Sequence, residues 1–528
     1  MPNKRVTTIA AHRLTEIGCY FSNTRFEKAL RQPELFQRKR LHQLLKRLHT
    51  SAYATQLGLS AQDTYEQFQK RTPIVQYEEI IPWVQQQRSG EGALHPDCRR
   101  FQPTSGSTSK IKWIPYSPEF LNELDEAISP WLISLFANHP GIRSGRHYWS
   151  LSWIPTEQRA SLSSSDDRDF FPLWKRILWS LTQAGSPLIA NADTIDSATF
   201  ATATYLCSAT DLSMISVWSP TFALSLFEGI RKHRHLLSET LATGRWPEPY
   251  AQALEVHVPH PGKSSASSQI LRTWNGELRP DFLNHLWPNL SLISAWDTSS
   301  SRSWALQLAE LLPHAAFEGK GLWATEGVVT IPYFGKMTAA VTSHFMEWRD
   351  LDTQQIHPTW ELRSGQIVQP ILSTGSGLLR YALSDQLRVT GKNQNTPTLE
   401  FLGRMGESDL AGEKISPQFA LQALQKFEGL TGLRACLLIA DPKTLTYTLW
   451  LEIPKNGQLP DSLQSARLAE QADQILRESF HYALARELKQ IQPTQIQFTS
   501  NFLQDYQQLA LKKGMIEGNL KFEPLIVL

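Results

Sequence analysis

Three runs in the middle of the chain are short and apolar: HYWSLSWI from His147, LSMISVW from Leu212 and LSLISAW from Leu290. They are separated by stretches of helical period such as SPTFALSLFEGIRKH from Ser219. Apolar segments of strand length alternating with helices predict a sheet layered with helices, an α/β fold. The chain has 528 residues, and a single core stops growing at roughly 250–300 residues. Two or more units are therefore expected.

The flanks read differently. From Ala11 to Leu48, Leu and Phe recur at helical steps. A second helix is expected from Pro118 to Phe136, with Ser117 as its N-cap. SLSSSDDRDF near Ser165 and HPGKSSASS near Ser265 read as surface loops. Near Gly403 the texture changes to a strand pair (ACLLIA, then LTYTLWLEI across Asp441-Pro442), one long helix through SARLAEQADQILRESFHYALARELKQ and a short tail. These features predict a small α+β domain, with the boundary set at Arg404.

Composition excludes several classes of function. Fifty-two Lys plus Arg balance 50 Asp plus Glu, leaving a formal charge of +2, so neither nucleic acid nor an anionic membrane is an expected partner. The basic residues Arg38, Lys39, Arg40, Lys46 and Arg47 alternate with leucines and read as the wet face of an amphipathic helix. Four scattered cysteines show neither CxxC nor zinc spacing. No signal-length or membrane-length apolar run is present, so the default location is cytoplasmic.

Three stretches carry chemistry. In Thr104-Ser105-Gly106-Ser107-Thr108-Ser109-Lys110-Ile111-Lys112, small hydroxyl residues around a glycine let N–H and O–H groups converge on phosphate, and Lys112 adds a point charge. The spacing is not that of a Walker loop, and the composition alone also fits an ordinary loop. In Gly319-Lys320-Gly321-Leu322-Trp323-Ala324-Thr325-Glu326-Gly327, the Thr-Glu pair offers a hydroxyl to phosphate and a carboxylate to Mg²⁺. Read alone, Glu326 is first of all a surface or ion-paired carboxylate. In Gly377-Leu378-Leu379-Arg380-Tyr381-Ala382-Leu383-Ser384-Asp385, an Asp at the end of a strand suits the hydroxyls of a ribose, or else a turn.

Taken together, TSGSTSKIKWIPYS, GKGLWATEGVVTIPY and GLLRYALSDQLRV closely resemble, in this order, the motifs of the Gretchen Hagen family of acyl-acid amido synthetases. That family lies within the adenylate-forming superfamily. RTPIVQYEEIIPWV from Arg71, LSMISVWSPTFALSLFEGI from Leu212 and LEFLGRMGESDLAGEKIS from Leu399 extend the likeness, which runs from about residue 50 to the C-terminus. The resemblance implies a large adenylation domain, 1–404, with nucleotide and acyl-acid sites, and a small mobile C-terminal domain, 405–528. It implies ATP and Mg²⁺, a carboxylic acid and an amine or amino acid as partners, and ligation through an acyl-adenylate.

By the same resemblance Ser105, Gly106, Ser107 and Thr108 hold the ATP phosphates with Lys112 nearby. Thr325 lies at the α-phosphate, Glu326 binds Mg²⁺, Asp385 binds the ribose, and Arg404 reaches ribose or phosphate from the hinge. GNLKFEP makes Lys521 the adenylation lysine. Ser109 and Ile111 replace the usual Gly and Pro, Leu322 stands where plant members place an aromatic against adenine, Ser384 replaces a Gly and Asn519 a Gln. None of these departures removes an ionisable group. A thiol acceptor, such as coenzyme A or a carrier protein, and a non-catalytic nucleotide- or acid-binding homologue are the alternative readings. The acyl pocket is expected in the large domain, with Trp149, Trp153, Trp218 and Trp296 as candidates.

Overall fold

Arg146–Trp149, Leu212–Ser216, Leu292–Ala295 and Ala316–Gly319 form a parallel sheet in that order. The two central strands are buried along their whole length, which is why they read as unbroken apolar runs and not as alternation. Helices Ile195–Ser208, Pro220–Lys232 and Arg302–Leu311 occupy the connections, and the middle one packs on both others. Same-handed crossovers between strands in sequential order place such helices on one face. The α/β layering expected from the alternation is therefore present.

The computed structural model describes residues 4–103, 112–150, 173–405, 408, 410, 413, 415–453, 459–487, 489–512 and 522–528. Their contacts divide them into two units. The first comprises the described residues up to Leu383 together with Leu387–Glu400. The second comprises Ser384–Gln386 and the described residues from Phe401 onward.

In the first unit the N-terminal period becomes two helices, Lys4–Arg31 and Pro33–Leu48. Proline lacks the N–H that would continue the ladder and starts a new first turn. On the second of these helices Arg38, Lys39, Lys46 and Arg47 are exposed, as a wet face requires. Arg40 is not: it turns inward, donates to the Thr342 carbonyl at 2.5 Å and lies 4.0 Å from Glu123. Helix Pro118–Asn138 starts where expected, with the Ser117 hydroxyl accepting from the Phe120 N–H. The stretch near Ser265 is not a loop throughout. Ser265–Thr273 is helical, because Ser267 and Ser268 are buried and Ser268 exchanges hydrogen bonds with Ser238. The stretch near Ser165 lies outside the described residues.

Sequence reading missed an eight-stranded antiparallel sheet built from Thr330–Tyr333, Lys336–Ala339, Phe345–Asp350, Ile356–Pro358, Ile367–Ser373, Tyr381–Ala382, Asp385–Asn393 and Thr396–Arg404. The last two alternate between buried and exposed positions only in part, so their period-2 signal is weak.

The second unit is α+β. Ala435–Asp441 and Thr446–Glu452 pair antiparallel as expected. Two further strands run parallel to this pair, Gln495–Thr499 beside Thr446–Glu452 and Leu525–Val527 beside Ala435–Asp441. The expected long helix is two, Ser462–Leu476 and Phe480–Glu487. Asp473 draws the turn between them closed by accepting from Arg477, Tyr482 and Arg486. The tail is likewise a strand, with Phe522, Leu525 and Ile526 buried.

Candidate active site

The Thr-Glu pair sits at a tight turn. Trp323–Ala324 pairs with Gly327–Val328, leaving Thr325 and Glu326 as the two residues between the strands. Small residues bound this hairpin for steric reasons. A Cβ on Gly321 would lie 1.9 Å from the Thr330 carbonyl oxygen, and one on Gly327 would lie 2.8 Å from His344 Nε2. Both are closer than real carbon contacts, so only glycine fits.

A buried polar relay fixes the hairpin to the rest of the unit. The Val328 N–H donates to His344 Nε2 at 3.1 Å, so the ring proton is on Nδ1 and is donated to Glu123 Oε2 at 2.7 Å. The same carboxylate oxygen accepts from the Gly375 N–H at 2.9 Å. Helix Pro118–Asn138, the hairpin and the exit of strand Ile367–Ser373 are thereby tied at one point.

Around the turn the structure gathers side chains to which the sequence assigned no role. Tyr116 donates to the Thr325 carbonyl at 3.0 Å, and Tyr381 donates to Glu326 Oε1 at 3.3 Å. Val75 bridges to Tyr381 through backbone hydrogen bonds at 3.1 and 2.9 Å, which sets the start of helix Tyr77–Arg88 beside it. Burial, followed by the Glu326 and Glu78 carboxylates, holds the Tyr381 hydroxyl well above the ordinary tyrosine range. It therefore acts as a donor to Glu326 at any physiological pH. Tyr77, Glu78, Tyr116 and Tyr381 all fall inside the family-like stretches, but nothing in their spacing marks them as neighbours.

Lys112 is part of the same surroundings, with its ammonium 4.0 Å from Glu78 and 5.5 Å from the Tyr77 ring centre. The Tyr77 hydroxyl accepts from the Trp113 N–H at 2.7 Å. Phe101–Pro103 and Trp113–Pro115, which flank the expected phosphate loop, pair antiparallel. Ser105, Gly106, Ser107 and Thr108 themselves lie outside the described residues. Leu322 is buried, its N–H donating to Thr330 Oγ1 at 2.8 Å.

Arg380, in the ribose-like motif, is structural. Its guanidinium is buried, pairs with Glu347 at 2.8 and 3.1 Å, and donates to the Thr72 and Gln69 carbonyls. Its backbone adopts a left-handed φ of 49°, a cost of order 1–3 kcal/mol that these contacts must offset.

In the second unit, Asp385 opens strand Asp385–Asn393; it does not end one, as the sequence reading had it. Its side chain is buried, yet among the described residues Oδ1 makes no hydrogen bond, and it faces Arg404 Nε at 3.5 Å. Arg404 ends strand Thr396–Arg404, and its Nη1 also lies 3.5 Å from Glu523 Oε1. A buried carboxylate oxygen without a donor is a place for a hydroxyl. Lys521 lies outside the described residues.

Trp149, Trp218 and Trp296 stand at or just beyond the carboxyl ends of three successive parallel strands, where open α/β sheets bind ligands. Trp153 lies outside the described residues. No described helix is long and apolar enough to cross a membrane.

The model of the GH3 family N-terminal domain matches residues 22–317, and that of the GH3 family central domain matches residues 337–404. The structure is similar to that of GH3.15 acyl acid amido synthetase, with a TM-score of 0.77, 16% identity, and coverage of 95% of this chain and 92% of that one. AtGH3.15 acyl acid amido synthetase in complex with 2,4-DB gives a TM-score of 0.79 at 16% identity, covering 97% and 94%. A 2-hydroxyisobutyryl-CoA ligase in the postadenylation state gives 0.51 at 11% identity, covering 88% and 85%. No curated protein matches this chain by sequence.

Proposed function

The chain belongs to the GH3 family, and from that premise we propose that it is an ATP-dependent acyl-acid amido synthetase. It activates a carboxylic acid as the acyl-adenylate and transfers the acyl group to an amine, most simply an amino acid. The observation that carries the reading is the buried Asp385 Oδ1, which has no hydrogen-bond donor among the described residues and lies beside Arg404. A carboxylate kept in that state suits a vicinal diol, and the ribose of ATP supplies one.

The remaining roles follow the chemistry. A carboxylate attacking the α-phosphate brings two anions together, so positive charge must meet them. The residues present fit Mg²⁺: Glu326, oriented by Tyr381, offers one carboxylate, and Mg²⁺ characteristically takes one or two carboxylates plus phosphate oxygens. When bound, the ion neutralises phosphate charge. Thr325 serves the α-phosphate, Ser105, Gly106, Ser107, Thr108 and Lys112 the departing phosphates, and Leu322 the adenine. Lys521 provides the second cation. The small domain, 405–528, rotates near Arg404 between adenylation and transfer, exposing the mixed anhydride to the amine.

Acid-dependent exchange of ATP with pyrophosphate tests the first half-reaction, and pyrophosphate release with amines or thiols tests the second. The shared fold of the CoA ligase makes a thiol acceptor the second reading. Release stimulated by thiols but not by amines would establish it in place of the first. Binding of ATP without exchange for any acid would reduce the protein to a non-catalytic nucleotide binder.

A further inference from the structure

Lys320 lies in the Gly319–Gly327 stretch but has no part in the nucleotide roles above. It follows directly on strand Ala316–Gly319, so it stands at the carboxyl edge of the parallel sheet beside Trp149, Ser216, Trp218 and Trp296. Its side chain is buried, with 8% of the residue exposed. The ammonium is 4.9 Å from the Trp131 ring centre, 4.9 Å from Trp218 and 5.8 Å from Trp149, and it donates to Ser216 Oγ at 2.8 Å. Trp323 closes the ring against Trp131 and Trp218, at 5.3 and 5.5 Å.

Three features distinguish this from an ordinary packed core. Trp149, Trp218, Trp296 and Trp323 each keep part of their surface exposed. The indole N–H groups of Trp131 and Trp323 are buried without a hydrogen-bond partner among the described residues, two donors waiting for an acceptor. An aromatic box ordinarily receives a cation, but here the protein's own Lys320 side chain occupies that place. The partner that suits a lysine in that place is an anion.

We propose that this indole-ringed lysine is the binding group for the acid substrate's carboxylate, which enters the box as an anion and is matched there by a proton taken up on Lys320. The proposal rests on the amido synthetase reading for the identity of the anion. Burial holds the free lysine down at about 7, against a smaller opposing effect of Glu318. Glu318 is itself engaged by His139 at 3.0 Å, and Asp297 and Arg302 lie at the exit of the neighbouring strand. None of these groups hydrogen-bonds the ammonium among the described residues. At pH 8 the Lys320 side chain in the box is therefore mostly a neutral amine. A bound carboxylate restores the charge, because the ion pair favours the protonated form.

The test is calorimetric titration of the full chain, without nucleotide, using benzoate and hexanoate as probes at pH 8 in buffers of different ionisation enthalpy. Wild type should take up about one proton per acid bound, as a lysine passing from neutral to paired requires. Lys320→Met should bind either acid roughly ten- to hundredfold more weakly, with no uptake. Lys320→Arg, charged throughout, should bind without uptake. Benzamide and hexanamide should not distinguish wild type from Lys320→Met. Unchanged acid affinity in a folded Lys320→Met, persistent uptake in that variant, or no saturable binding of either acid by wild type would each overturn the assignment. Pyrophosphate exchange run in parallel separates the two claims. Exchange in wild type together with undiminished acid binding in Lys320→Met sinks the role of Lys320 alone, whereas proton-linked acid binding without exchange for any acid sinks the adenylation reading alone.

Discussion

Two carboxylates stand in opposite surroundings. Asp385 is buried with an oxygen that has no donor among the described residues, whereas Glu326 already accepts from Tyr381 at the tip of a hairpin. Asp385→Ala should weaken ATP binding by about 1.5–3 kcal/mol, the usual worth of hydrogen bonds to a charged group. Nucleotide titration of the folded variant checks this, and unchanged affinity removes the ribose assignment. Glu326→Gln keeps the acceptor for Tyr381 but loses the charge that a divalent cation needs. It should raise the Mg²⁺ concentration at half-maximal exchange and slow exchange at saturation, while an identical metal dependence in the two proteins would leave Glu326 structural. Arg380 is the counterexample, a cation within a nucleotide-like motif whose contacts are all with the protein itself. The motif was legible in the sequence, but the division of labour within it depends on which side chains remain unpaired after folding.

At the scale of elements, helix Ser462–Leu476 and helix Phe480–Glu487 are separated by a turn organised around Asp473. Burial pushes this carboxyl up, but hydrogen bonds from Arg486, Arg477, Tyr482 and the Thr494 N–H outweigh it and hold it at about 2. A folded value below the unfolded one, near 3.9, means that the ionised form stabilises the second unit. That contribution, about 2 kcal/mol, is fully present above roughly pH 4 and is lost as pH falls towards 2. Hydrogen exchange in strand Gln495–Thr499, followed from pH 5 to pH 2, should accelerate beyond its intrinsic pH dependence in wild type. In Asp473→Asn it should be faster at pH 5 and show less of that extra acid response. Equal acid responses would mean that Asp473 does not hold the turn. The uninterrupted helical period from Ser465 to Gln490 hid the break, because a turn made by a long-range side-chain cluster leaves no breaker residue behind.

Across the whole molecule, the adenylation lysine assigned by resemblance can be tested only by a point change. Truncation after Gly518 would also delete Leu525–Val527, a strand that pairs with Ala435–Asp441 and buries Leu525 and Ile526, so it would unfold part of the second unit. Lys521→Ala avoids that loss. It should slow pyrophosphate exchange by about 10²–10³, the typical worth of one transition-state donor. On the proposed mechanism, amide formation from a supplied acyl-adenylate should be spared. Equal loss of both half-reactions would signal misfolding or a shared role, and loss of neither would remove Lys521 from the mechanism.

By itself the sequence determined the α/β layering, the helix beginning at Ser117, the Ala435–Asp441 and Thr446–Glu452 pair, and the family to which the three motifs point. Each of these is written locally, in period, cap chemistry or the order of short motifs. Only the tertiary structure decided that Arg40 turns inward, that the terminal residues form a strand, that Tyr116 and Tyr381 hold the Thr325–Glu326 turn, and that two strand ends and helix Pro118–Asn138 bring three indoles around Lys320. These depend on residues far apart in the chain meeting in space, and their energies come from desolvation and hydrogen-bond partners that do not exist until the chain has folded.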